Sequence, residues 1–242
     1  MKTRTIAICL AAVAAGLSAQ TAEEIIRRMD DMQRFNTLYA EGEMVTEDRF
    51  GEKRSTYRSW SRDSQDFLIE FTNVEESGQK VLRVGDELYL FYPDAEDIIP
   101  MHGAALKQSL FGDISYEDLT DGKDTLDKYD VEMIGSETVD GEACWVIEMI
   151  AVTHDVPYPK QVVKVGKEDF LLKEAEYYAR SGRLLKIVEV TDAAVFDDGR
   201  SLITGMVMHD QLRRGSSTTV RIANIRVDPV LDGELFTLRS LY

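Results

Sequence analysis

The side chains able to do chemistry are few and scattered. Three histidines, His102, His154 and His209, stand far apart, without the paired spacing that a histidine-based zinc site shows. The chain carries no G-x-S-x-G elbow, no Walker A loop, no dinucleotide-type G-x-G-x-x-G, no H-E-x-x-H and no C-x-x-C. Cys144 lies inside the apolar run Ala143-Cys144-Trp145-Val146-Ile147, where a cysteine behaves as a small hydrophobe rather than a nucleophile. Carboxylates crowd Asp94-Ala95-Glu96-Asp97 and the stretch from Asp121 to Asp130. Two carboxylates flanking a cleft are the equipment of a glycosidase. With 44 Asp and Glu residues in 242, however, such clusters arise by chance and read as solvated faces. The spaced ligands and terminal Glu of a calcium loop are missing near Asp94 and at Asp197-Asp198-Gly199. The expectation is a protein with no catalytic residues, no metal and no cofactor.

Apolar surface remains. Met44, Trp60, Phe67, Ile69, Phe71, Leu88, Leu90, Trp145, Ile147, Met149, Met206 and Met208 all fall in strand-like stretches. Alternation places much of this set on one face. A packed core is the ordinary explanation for such a face, and composition alone carries no functional claim. The share of Met suits a surface that adapts to ligands of varied shape. These residues are the candidate wall of an apolar cavity.

The elements that carry them are mostly strands. Thr21 to Arg34 reads as an amphipathic helix, with Thr21 as cap, Glu23 and Glu24 at its positive end, and Ile25, Ile26, Met29 and Met32 as one apolar stripe. After Asn36 the period becomes two. Turn signals at Gly51, Gly85-Asp86, Asp140-Gly141, Gly166-Lys167, Ser181-Gly182, Asp198-Gly199 and Arg214-Gly215 separate the runs. The result is an antiparallel meander of about ten to eleven strands. Between Pro93 and Lys123 the pattern breaks into helical patches, Ala104–Phe111 and Tyr116–Leu119, which predict a non-strand insertion acting as a lid. Leu106, Leu110 and Phe111 in that insertion, with Ile25, Met29 and Met32 of the helix, are the candidate lid residues.

At the N-terminus, Lys2 and Arg4 precede an uncharged run from Ile6 to Leu17, followed by Ser18 and Ala19. This is the order of an export signal, predicted to occupy 1–19 and to be cut near Ala19, leaving 20–242 as one exported domain. The run is too short to span a bilayer. Cys9 leaves with it, so Cys144 remains the only mature cysteine and the fold must stand without an internal disulfide. A net charge of -16 argues against nucleic-acid partners. A monomer is expected.

Four blocks carry a resemblance. They are Phe111-Gly112-Asp113-Ile114-Ser115-Tyr116-Glu117-Asp118-Leu119, Val165-Gly166-Lys167-Glu168-Asp169-Phe170-Leu171-Leu172-Lys173, Glu176 to Lys186, and Leu231 to Leu241. In this order they resemble the LolA-like outer-membrane lipoprotein-sorting proteins. The resemblance implies a mainly β fold: a curved antiparallel sheet forming an incomplete barrel, with an N-terminal helix and a helical insertion over its concave face. It also implies a non-catalytic periplasmic carrier that holds acyl chains of a lipid or lipoprotein, with an inner-membrane transporter and an outer-membrane acceptor as partners. The alternative is an envelope sensor or an accessory subunit of a lipid exporter. An arginine on an early strand matters in LolA, and Arg58 or Arg62 would be its counterpart.

Overall fold

The computed structural model describes residues 20–63, 65–119, 125–154, 156–213 and 215–242. The expected export signal at 1–19 lies outside the described residues.

Helix α1, Ala22–Met32, starts where the capping residues require. The Glu24 amide donates to Thr21 Oγ1 at 3.2 Å, and the Glu24 carboxylate accepts from the Thr21 amide at 3.0 Å. Two orphan N–H groups are satisfied at once. Most of its stripe is buried, with Ile25 and Ile26 both 0% exposed, Met29 buried and Met32 half-buried at the margin.

The first meander comprises β1 (Thr37–Asp48), β2 (Gly51–Arg62), β3 (Asp66–Phe71), β4 (Lys80–Val84), β5 (Glu87–Tyr92) and β6 (Asp97–Met101). A short hairpin follows, β7 (Ser109–Phe111) and β8 (Ile114–Ser115), between 3₁₀ turns at Gly103–Lys107 and Tyr116–Leu119. After α2 (Thr125–Lys128) comes the second meander: β9 (Tyr129–Val139), β10 (Glu142–Ala151), β11 (Lys160–Gly166), β12 (Leu172–Tyr178), β13 (Leu184–Val195), β14 (Ser201–Asp210) and β15 (Ser217–Val227). The two meanders join through the antiparallel pair β1–β15 into one thirteen-stranded sheet. Its edges, β6 and β9, do not pair, so the curved sheet stays open.

The strand count exceeds the ten to eleven expected. β6 lies inside the segment predicted to be non-strand, and Pro100 explains the misreading. Proline cannot donate to a ladder, but it is tolerated on an edge strand, which β6 is. Ser109–Phe111, read as part of a helical patch, is likewise a strand. Gly112, at φ +53°, reverses the chain there and pairs Phe111 with Ile114. The insertion over the hollow is therefore a hairpin between 3₁₀ turns rather than a helix. At Asp140-Gly141 both φ values are positive, the geometry of a two-residue hairpin turn.

The sheet carries a core on each face. The inner face packs against α1 and the insertion. The outer face of β3–β5 holds a smaller cluster, Leu68, Leu82, Phe91 and Leu241, with Trp60 and Leu235 beside it. The last residues strap this outer face. Lys80 Nζ donates to Ser240 O at 2.6 Å, and the Tyr242 ring lies 5.5 Å from that of Phe91.

Candidate functional site

A cavity of ≈ 420 Å³ opens on the inner face at mid-sheet, where β1 and β15 bring the two meanders together. Its floor comes from Met44 of β1, Tyr57, Ser59 and Ser61 of β2, Phe67 and Ile69 of β3, Leu172 and Tyr177 of β12, Val188 of β13, Ile203, Met206 and Met208 of β14, and Val220 of β15. Its roof is the insertion, through Leu110, Ile114, Asp118 and Leu119, with Tyr158 from the β10–β11 loop. Strand pairing aligns this floor. Val220 faces Met44 and Met206, and Met208 faces Val188.

The candidate wall residues divide into three groups. Met44, Phe67, Ile69, Met206 and Met208 line the cavity. Phe71, Leu88 and Leu90 toward the β6 edge, and Ile147 and Met149 toward the β9 edge, are buried in solid core, with Trp145 packed against it. Trp60 borders the cavity, but its indole packs in the outer cluster, with its ring 5.6 Å from that of Tyr39. Of the candidate lid residues, Leu110 roofs the cavity. Phe111 is 2% exposed in the core, and Leu106 packs against that core. Ile25 and Met29 are buried core residues, and Met32 packs at their margin.

The hairpin is bolted to the sheet. The Asp113 amide donates to Thr218 Oγ1 at 2.8 Å, and Ser216 Oγ donates to Asp113 Oδ1 at 2.7 Å. Thr46 and Thr218 hydroxyls meet at 3.0 Å beneath Gly112, leaving no room there for a Cβ. Arg213 Nη1 donates to Gly112 O at 2.6 Å. Burial raises the Asp113 carboxyl above its ordinary range, against the hydrogen bonds from Ser216 and Thr218.

The polar corner of the cavity is a buried ion pair. Lys186 Nζ donates to Asp118 and, at 3.0 Å, to Ser115 Oγ. Asp118 also accepts from the Ser115 amide at 2.6 Å, from Ser115 Oγ at 2.7 Å and from the Tyr158 hydroxyl. Burial first, and then the Asp118 charge, push the Tyr158 hydroxyl above the usual tyrosine range. Behind this pair lies a second hollow of ≈ 540 Å³, rimmed by Lys107, Asp113, Glu117, Lys186 and Arg213.

Other candidates for chemistry lead nowhere in particular. Among the described residues, no group of three or more His, Cys, Asp or Glu could hold a metal ion. Cys144 is 0% exposed, and burial raises its thiol pKa. Arg58 lies in an outer groove beside Glu41 and Arg221. Arg62 pairs with Asp66 and covers the Phe236 ring. Neither arginine lines the cavity.

Sequence reasoning overlooked the β2 face formed by Tyr57, Ser59 and Ser61. Two serines and a tyrosine at period two do not by themselves distinguish a cavity wall from a solvated face, whereas Trp60 marks the opposite face as apolar. The signal that separates them is pairing, since Ser61 faces Phe67 and Ser59 faces Ile69 across the β2–β3 ladder.

An open antiparallel sheet with a helix and a hairpin packed into its hollow defines a LolA-like half-barrel. Solved structures share it. A DUF1329 family protein from Desulfovibrio piger is 25% identical, covering 91% of this chain and 98% of its own, with a TM-score of 0.83. An outer membrane lipoprotein-sorting protein domain from Vibrio parahaemolyticus is 20% identical over 90% and 97%, with a TM-score of 0.81. A LolA superfamily protein from Nitrosomonas europaea is 24% identical over 92% and 100%, with a TM-score of 0.77. No curated protein matches. The chain belongs to the family whose model matches residues 63–242, described only as "-like: Uncharacterized protein".

Proposed function

We propose that this protein is a non-catalytic periplasmic carrier, with 20–242 as its mature part. It would hold acyl chains of a lipid or lipoprotein in the mid-sheet cavity during transfer toward the outer membrane. The observation that carries the reading is the cavity itself. Its floor is mostly apolar and its volume, ≈ 420 Å³, falls within the about 300–1,000 Å³ of small-ligand sites. Each methylene moved there from water contributes about 0.8 kcal/mol, which supplies the driving force for reversible uptake of a chain. The lipoprotein-sorting name of the Vibrio neighbour agrees with such a cargo. No helix among the described residues is long and apolar enough to cross a membrane. An inner-membrane donor and an outer-membrane acceptor would be its partners.

Native mass spectrometry of detergent-free protein tests this directly. Wild type should carry or take up acyl lipids from a total lipid extract. Val188→Trp, which fills the cavity from its floor, should lose them while keeping the fold. Equal lipid uptake by the filled variant refutes the site. Leu110→Ser probes the roof and should alter uptake with little loss of stability. A polar residue at Phe111 would instead damage the core.

A further inference from the structure

One wall of the cavity is not apolar. β2 turns Tyr57, Ser59 and Ser61 toward the hollow. Ser59 donates to Ala40 O at 3.3 Å. The Tyr57 hydroxyl has no hydrogen-bond partner among the described residues, although the residue is only 9% exposed. Its ring lies over Gly42, where even a Cβ would come within 2.3 Å of the hydroxyl oxygen. That close fit holds the phenol in place. The hydroxyl meets the cavity and can be hydrated while the cavity is open. A chain that displaces that water leaves it without an acceptor, which costs free energy, so its place in a greasy wall points to a ligand atom. Burial pushes its pKa up to about 12, so it is a neutral donor at physiological pH. The nearby cation, Lys186, is already engaged by Asp118. A neutral acceptor therefore suits this wall better than a carboxylate.

The geometry points to Tyr57 as the donor to the ester carbonyl of a bound acyl lipid, which places the acyl linkage itself, and not only the hydrocarbon tail, inside the cavity. This rests on the carrier reading above and narrows its cargo to ester-linked lipids seated past their carbonyl.

The test compares 1-monooleoylglycerol with its ether analogue, 1-O-oleylglycerol, by native mass-spectrometric titration of the exported form of wild type and of Tyr57→Phe. Wild type should bind the ester about five-fold more tightly than the ether, the worth of one buried hydrogen bond. Tyr57→Phe should bind the two alike, at the wild-type ether affinity. Tyr57→Phe should also be at least as stable as wild type to urea, because no protein partner is lost. Equal binding of both probes by wild type, or an ester preference that survives in Tyr57→Phe, overturns this inference and leaves the carrier reading standing. Failure of wild type to bind either probe overturns both. A loss of stability in Tyr57→Phe would reveal a protein partner for the hydroxyl and equally refute the assignment.

Discussion

Removing either member of the Lys186–Asp118 pair should destabilise the fold, but by unequal amounts. The two side chains are 9% and 10% exposed, so each charge depends on its partners rather than on water. Breaking a buried pair by deleting one partner costs about 3–5 kcal/mol, because the survivor is left uncompensated. The survivors here differ. In Lys186→Met, Asp118 still accepts from the Ser115 amide, Ser115 Oγ and the Tyr158 hydroxyl. In Asp118→Asn, the Lys186 ammonium loses its counter-charge and keeps only neutral acceptors, Ser115 Oγ and the amide oxygen that replaces the carboxylate. Lys186→Met should therefore cost about 3 kcal/mol and Asp118→Asn about 5 kcal/mol. The double variant has no buried charge and should be no worse than the worse single. Urea unfolding followed by tryptophan fluorescence reads all three differences. A larger loss in Lys186→Met than in Asp118→Asn, or a double variant equal to the sum of the singles, would refute the account, since additivity means no coupling.

Three further outcomes follow from particular contacts. Gly112→Ala combines a left-handed φ of +53° with a Cβ 1.9 Å from Thr46 Oγ1. It should cost about 2–4 kcal/mol in chemical unfolding; a change under about 0.5 kcal/mol would show that the hairpin is not bolted there. Asp113 has a folded pKa raised above its ordinary 3.8 by burial. Its stabilising contribution is complete below pH 3.8 and is lost as pH rises through the elevated value. The stability of wild type minus that of Asp113→Asn should thus fall as pH rises, and urea midpoints across a pH series that diverge the other way would contradict it. Cys144, fully buried with a raised thiol pKa, should react with an aromatic disulfide reagent only at the rate of unfolding; a prompt reaction in native buffer would disprove its burial.

Much of the fold was legible in local chemistry. Thr21 and Glu24 announced the helix start through a pairing that needs only neighbours three residues apart. Asp140-Gly141 announced a hairpin because few residues accept positive φ at two successive positions. The segment after Pro93 was harder. Pro100 argues against a strand unless that strand is an edge, and edge position depends on residues far away in the chain. Ser109–Phe111 looked helical in isolation. It extends because Gly112 and Asp113 meet Thr218, more than a hundred residues later.

The same division runs through the site. Residue type and period two were enough to nominate Met44, Phe67, Ile69, Met206 and Met208, because an apolar residue on an alternating strand must face something dry. They could not separate cavity from core. Ile147 and Met149 show the same pattern, yet they lie within the packed core and not on the cavity. Trp60 and Tyr57 reverse the expected preference, since the larger apolar ring turns outward under the C-terminal strap while the hydroxyl-bearing face looks in. Composition and periodicity determine that a surface is buried, because transfer from water depends on the side chain alone. Only the tertiary arrangement decides what, if anything, occupies the space opposite, because that depends on which distant strands the sheet's curvature brings face to face.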